Sequence, residues 1–159
     1  MASVQSSALQ VKILSFIDVI RAEGFLADSD LEPYSIALSS FKGKNYLTFR
    51  FKNTNVFNSL KLNKYEIGKR LFDDVVRKVL NPLNSYISSP QAFYGYDITV
   101  LGYTKDFSDK YASNTKLEYR FLMPEASVNR YKDKEITGQG LIDASVVSLD
   151  DERIDMKLQ

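Results

Sequence analysis

Six polar residues recur at alternate positions of three stretches that otherwise read as β-strands: Thr48 and Arg50, Asp97 and Thr99, Glu118 and Arg120. If those strands pair, two carboxylates and two guanidinium groups share one sheet face. Carboxylates beside arginine are capable of general acid–base work or of binding a divalent cation. Polar residues alternating with apolar ones are also what a sheet with one solvated face requires. The 159 residues contain no His and no Cys. That removes Ser-His-Asp and Cys-His catalysis, thiolate zinc sites and disulfides, and leaves carboxylates as the serious catalytic candidates. Asp155-Met156-Lys157 has the D-x-K spacing of some metal-dependent nucleases, but beside Asp150-Asp151-Glu152 it reads as a hairpin. Gly138-Gln139-Gly140 lacks the length of a phosphate-cradling loop. No cofactor is expected.

Charge supplies the second set of candidates. The net charge of +1 hides an uneven layout. Residues 42–78 carry ten basic and three acidic side chains, while residues 1–41 sum to −3 and residues 133–159 to −4. Lys42, Lys44, Lys52, Lys61 and Lys64 fall in turns or at element ends, where they could gather at one end of a sheet and meet phosphates or an acidic partner. Lys69, Arg70, Arg77 and Lys78 are interleaved with Asp73 and Asp74, so that charge is largely compensated locally. Within the basic region, Lys42-Gly43-Lys44-Asn45-Tyr46-Leu47-Thr48-Phe49 resembles the RNP1 motif of RNA-recognition motifs at Lys42, Gly43, Tyr46, Leu47 and Phe49. Lys44 and Asn45 depart from the motif. The resemblance implies rings presented for base stacking, whereas the residues themselves describe a hairpin turn entering an amphipathic strand.

The elements that must position these groups follow from periodicity. Asn63 to Leu80 is the clearest helix: Asn63 and Glu66 form a capping box, and Ile67, Leu71, Val75 and Val79 recur every four residues. Asn81-Pro82 reads as its stop. Leu9, Ile13, Phe16, Ile17 and Ile20 mark a helix over Ser7 to Glu23, capped by Ser6 or Ser7 and ended by Gly24, with Phe25-Leu26 folding back on its last turn. Ala27 to Pro33 reads as a loop. Tyr34, Ile36 and Leu38 alternate, as do Leu47, Phe49 and Phe51, with the turn between them at Lys42 to Asn45. Further strands are expected from Phe93 to Tyr103 and around Leu117, Tyr119 and Phe121. A short helix follows Pro124, a single turn lies within Thr137 to Asp143, and a closing hairpin joins Ser145–Leu149 to the alternating Ile154, Met156 and Leu158.

Strands in runs of two, with no repeated β-α-β rhythm, predict one α+β domain over residues 1–159. Its expected core is an antiparallel sheet of four to six strands with two main helices on one face. No basic leader with a long apolar run and no membrane-spanning stretch is visible, so a cytoplasmic protein is expected. Taken together, these features predict a non-catalytic interaction or assembly module. Its binding candidates are Lys42, Lys44, Tyr46, Arg50, Lys52, Lys61 and Lys64, and its partner is a protein or a second copy. Nucleic-acid binding through Tyr46 to Lys52 is the second expectation, and a carboxylate enzyme built on Asp97, Glu118 and Arg120 the third.

Overall fold

The computed structural model describes residues 7–22, 29–31, 36–87 and 93–158. In chain order the elements are α1 (Ser7–Ala22), β1 (Ser29–Leu31), β2 (Ala37–Phe41), β3 (Lys44–Asn58), α2 (Lys64–Leu71), a π-helical turn (Phe72–Val76) and α3 (Arg77–Tyr86). They continue with β4 (Gly95–Lys105), β5 (Thr115–Pro124), α4 (Glu125–Lys132), α5 (Gly138–Asp143), β6 (Val146–Leu149) and β7 (Glu152–Arg153). This is an α+β fold around one mixed sheet in the order β1-β3-β4-β5-β6-β7, with β2 also paired to β3. The caps proposed at Ser6 and Gly24, and Phe25, Leu26, Pro33 and Tyr34, lie outside the described residues. Within the stretch read as a loop, Ser29–Leu31 is a strand paired with Phe51 to Asn53.

The sheet is not purely antiparallel. At its centre β3 and β4 run parallel, from Tyr46↔Gly95 to Asn58↔Lys105, and the other pairs are antiparallel. Parallel neighbours require a crossover, which α2, the π turn and α3 supply. These segments of eight, five and ten residues are continuous. At about 1.5 Å per residue they return the chain over roughly 35 Å, which covers most of the length over which β3 pairs with β4. A helix ending at Leu80 would be six residues shorter, nearly two turns.

The helix therefore runs through Pro82 to Tyr86. Proline in a helix interior removes one hydrogen bond and commonly ends or kinks the helix. Here apolar burial continues past it, since Leu83 and Ile87 are both fully buried. Two buried tyrosines hold the ends of this helical run. The Tyr119 hydroxyl donates to the Lys64 carbonyl at 2.5 Å, and the Tyr96 hydroxyl donates to the Ile87 carbonyl at 2.6 Å. Burial pushes both phenols well above their ordinary pKa, so both stay protonated donors. At the start, the capping box is present: Asn63 Oδ1 accepts from the Tyr65 and Glu66 amides, and Glu66 accepts from the Asn63 amide.

The core is one cluster. Leu47, Phe49 and Phe51 of β3, Tyr96, Ile98 and Val100 of β4, and Tyr119, Phe121 and Met123 of β5 point into it with essentially no exposure. Ile67, Leu71, Phe72, Val75, Val76, Val79 and Leu80 meet them from the crossover helix. Leu9, Ile13, Phe16 and Ile20 of α1 belong to the same cluster, and the Phe16 ring stands edge-on to Phe49 with centroids 5.1 Å apart. The closing hairpin is shorter than its alternation suggests. β7 has two residues, and Met156 and Leu158 reach the core without strand pairing. Gln139 holds this tail instead, donating to the Met156 carbonyl and accepting from the Leu158 amide.

The β2–β3 hairpin turns on two residues, Lys42 (φ 48°) and Gly43 (φ 74°), with Phe41 opposite Lys44. Both central residues of such a type I′ turn sit in the left-handed region, which costs a β-carbon-bearing residue about 1–2 kcal/mol and favours Asn-Gly. Lys42→Asn is expected to raise stability by about 0.5–1 kcal/mol, seen as a higher denaturant midpoint with an unchanged slope.

Candidate functional site

Each of β3, β4 and β5 places two members of the polar set on the face opposite the core. The parallel register sets Thr48 beside Asp97 and Arg50 beside Thr99, while the antiparallel register sets Thr99 beside Arg120 and Leu101 beside Glu118. Asp97 sits at the centre with its side chain 2% exposed. Its Oδ2 accepts from Arg120 Nη2 at 2.7 Å and Nε at 2.9 Å, and from the Thr48 hydroxyl at 3.2 Å. Its Oδ1 accepts from the Thr99 hydroxyl at 3.1 Å. Ser39 of β2 closes the group, 2.7 Å from the Thr48 oxygen and 3.5 Å from Oδ2. Arg50 and Glu118 form the second ion pair at 3.2 Å, and both are partly exposed.

All six residues named from the sequence are therefore brought together, with Ser39 added from β2. The arrangement differs from what acid–base chemistry requires. A catalytic carboxylate needs an oxygen facing a proton in transit, whereas both oxygens of Asp97 are occupied by neighbours. Arginine and hydroxyl groups holding a carboxylate out of water give the pattern of a satisfied buried polar network. Among the described residues no three carboxylates converge in a way that could hold a metal ion. A cleft of about 470 Å³ lies elsewhere, lined by Asn63, Tyr65, Glu66, Lys69, Asp155 and Lys157 at the first turn of α2.

The basic candidates do not gather at one end. Lys42 and Lys44 stand at the hairpin end of β3, and Lys61 and Lys64 lie beyond its other end. The 15 residues of β3 separate them by about 45 Å of extended chain at roughly 3.3 Å per residue. Arg50 and Lys52 lie between. Aromatic rings accompany several of these lysines: Lys44 Nζ lies 3.9 Å from the Tyr94 ring centre, Lys52 Nζ 5.7 Å from Tyr103 and Lys64 Nζ 5.2 Å from Tyr65. Tyr46 is buried beneath Tyr94, with ring centroids 5.7 Å apart. Burial, with the neighbouring Tyr94 and Asp97, pushes its phenol above the ordinary value. Phe49 faces the core with no exposure. The rings that the RNP1-like octapeptide would present to bases are thus covered.

The sequence reading missed the end of the sheet where β3 and β4 both finish. Because those strands are parallel, the Asn58–Leu62 turn and the β4–β5 loop emerge side by side, joined by the Ser59 amide donating to the Lys105 carbonyl at 2.9 Å. Seven large hydrophobic side chains are exposed among the described residues, and Leu60, Tyr65, Phe107 and Tyr111 are at this end. Tyr111 is 82% exposed and Leu60 64%. Their backbones are fixed by side-chain turns, with Asn58 Oδ1 accepting from the Leu60 amide, Asp106 Oδ1 from Ser108 and Asp109 Oδ1 from the Tyr111 amide. The bonds from Ser108 hold the Asp106 carboxyl below its usual pKa. Lys61, Lys64, Lys105, Lys110 and Lys116 lie in or beside the same segments, with Lys64 Nζ 5.2 Å from the Tyr65 ring centre and Lys110 Nζ 4.8 Å from that of Tyr111. Parallel pairing was the missing signal, because antiparallel strands would have sent these two loops to opposite ends.

No protein-family model matches the chain, and no curated protein or solved structure matches it. The class is accordingly defined by the fold: an α+β protein with a mixed sheet, one parallel crossover and a saturated Asp97–Arg120 cluster on the outer face. No helix among the described residues is long and apolar enough to cross a membrane.

Proposed function

We propose that this protein is a non-catalytic interaction or assembly module, a single cytoplasmic domain that meets a protein partner through the far end of its sheet. One observation carries the reading: four exposed large apolar side chains, Leu60, Tyr65, Phe107 and Tyr111, sit on the Asn58–Leu62 turn, the first turn of α2 and the β4–β5 loop, at the end where β3 and β4 finish, with lysines in the same segments. Exposed apolar groups held in place and clustered are costly to leave in water and are the usual mark of a contact surface. Tyrosine adds contact area at low conformational cost, and the lysines select for an acidic counterpart. Lys61 and Lys64 of the basic region belong to this surface. Lys42, Lys44, Tyr46, Arg50 and Lys52 do not, and the two helices on one face serve as its support.

The test compares wild-type protein with the Phe107→Ser/Tyr111→Ser variant, both purified under native conditions and analysed by light scattering and mass spectrometry. These exposed substitutions should change stability by no more than about 0.5 kcal/mol each. The wild type is expected in a discrete complex that weakens with salt, and the variant as a free monomer. Identical complexes, or a steep salt-dependent shift of an oligonucleotide lost only in Lys42→Glu/Lys44→Glu, would overturn the reading.

A further inference from the structure

The far end of the sheet carries a second charged feature. Strand β6 runs toward this end beside β5, and its turn Asp150-Asp151 leads into Glu152. The Asp150 amide donates to the Glu118 carbonyl and Asp150 Oδ1 accepts from the Glu118 amide, which pins the turn to β5 three residues past Thr115. Asp151 and Glu152 are exposed, and the left-handed backbone of Asp150 (φ 47°) and Asp151 (φ 69°) directs a tight reversal at that point. On one side of this end lie apolar groups with Lys61 and Lys110; on the other, across β5, lies an acidic turn.

A surface with adjacent patches of opposite charge is complementary to itself under a two-fold rotation, because each patch then meets its opposite on the partner. We infer that the occupant of this end is a second copy of the same chain, in an isologous dimer. Phe107 and Tyr111 pack at the centre, and Lys61 and Lys110 of each protomer face the acidic turn of its partner. The inference rests on the interaction reading above and names the partner. An anionic membrane or a uniformly acidic protein fits less well, because Asp151 and Glu152 would repel either.

Charge exchange tests this directly. Sedimentation of purified protein at several concentrations should show a monomer–dimer equilibrium that shifts toward monomer with salt. Lys61→Glu/Lys110→Glu alone, and Asp151→Lys/Glu152→Lys alone, should each weaken the dimer by roughly tenfold or more. Mixing the two variants should restore a heterodimer, since each altered patch then meets its complement. Combining all four substitutions in one chain should restore a homodimer. A merely damaged fold would not recover on mixing. A wild type that stays monomeric at every concentration, or single variants that dimerise as well as it does, overturns the two-fold pairing. If that monomer still loses a cellular complex on Phe107→Ser/Tyr111→Ser substitution, the interaction reading stands without self-pairing. If it forms no complex, both fall.

Discussion

Arg120→Met is expected to destabilise the protein by about 3–5 kcal/mol, the cost of leaving a buried charge without its counter-ion. The magnitude follows from an asymmetry in the pair. Asp97 is 2% exposed on its side chain while Arg120 is 27% exposed, so the arginine can regain water if its partner is lost and the carboxylate cannot. Thr48 and Thr99 would still donate to Asp97, but two neutral hydroxyl bonds do not replace two charge-assisted ones. Asp97→Asn should cost less, because it removes the buried charge and keeps one oxygen to accept from Arg120 and Thr48, while its NH2 can donate to the Thr99 hydroxyl oxygen. Denaturant titration of the two variants checks the order. If Arg120→Met were no worse than Asp97→Asn, the carboxylate would have access to water and the cluster would be open to chemistry after all.

Phe49→Ala should be comparably severe, at about 3–5 kcal/mol for an aromatic deleted from a packed core. Phe49 has no exposure, lies in the middle of β3 and meets Phe16 of α1 edge to face. The edge-to-face contact contributes about 0.5–1.5 kcal/mol beyond the area buried. Its loss should therefore show selectively as faster amide exchange in α1, with β4 and β5 affected less. Leu14→Ser on the same helix removes a side chain 61% exposed and should change stability by no more than about 0.5 kcal/mol. Equal effects of the two substitutions would mean that α1 does not rest on Phe49.

The same residues explain how far the sequence could be read. Periodicity locates elements well: the alternation of Leu47, Phe49 and Phe51 and the four-residue recurrence from Ile67 to Val79 both reflect burial on one side, and both hold. The capping box at Asn63 and Glu66 also holds, because a cap is decided within one turn. Pairing direction is decided elsewhere. Nothing local to β3 or β4 distinguishes a parallel neighbour from an antiparallel one. Fully buried strands such as Tyr96 to Val100 look alike in both. The extra length of the crossover helix was the available clue, hidden by Pro82, whose local cost is outweighed by burial of Leu83 and Ile87.

At the site, alternation predicted that Thr48, Arg50, Asp97, Thr99, Glu118 and Arg120 share a face, and register brings them into contact. Whether such a group is saturated depends on which oxygens meet which donors, and periodicity carries no information on that. The basic region illustrates the opposite case. Lysines close in sequence were expected to be close in space, but a long strand separates Lys44 from Lys61, and the apolar groups at the far end come from segments more than forty residues apart.

If the end of the sheet bearing Phe107 and Tyr111 meets a partner as proposed, that end is covered in the working protein. Because the chain has no cysteine, single-cysteine labelling reports on one position at a time. Ser113→Cys places a thiol in the β4–β5 loop, and Ala126→Cys places one at an exposed position in the first turn of α4, at the opposite end. Both should react with a membrane-permeant maleimide at equal rates in dilute purified protein. In the producing cell, Ser113→Cys should be labelled several-fold more slowly while Ala126→Cys is unchanged. Equal, rapid labelling of both positions in the cell would mean that no partner covers this end.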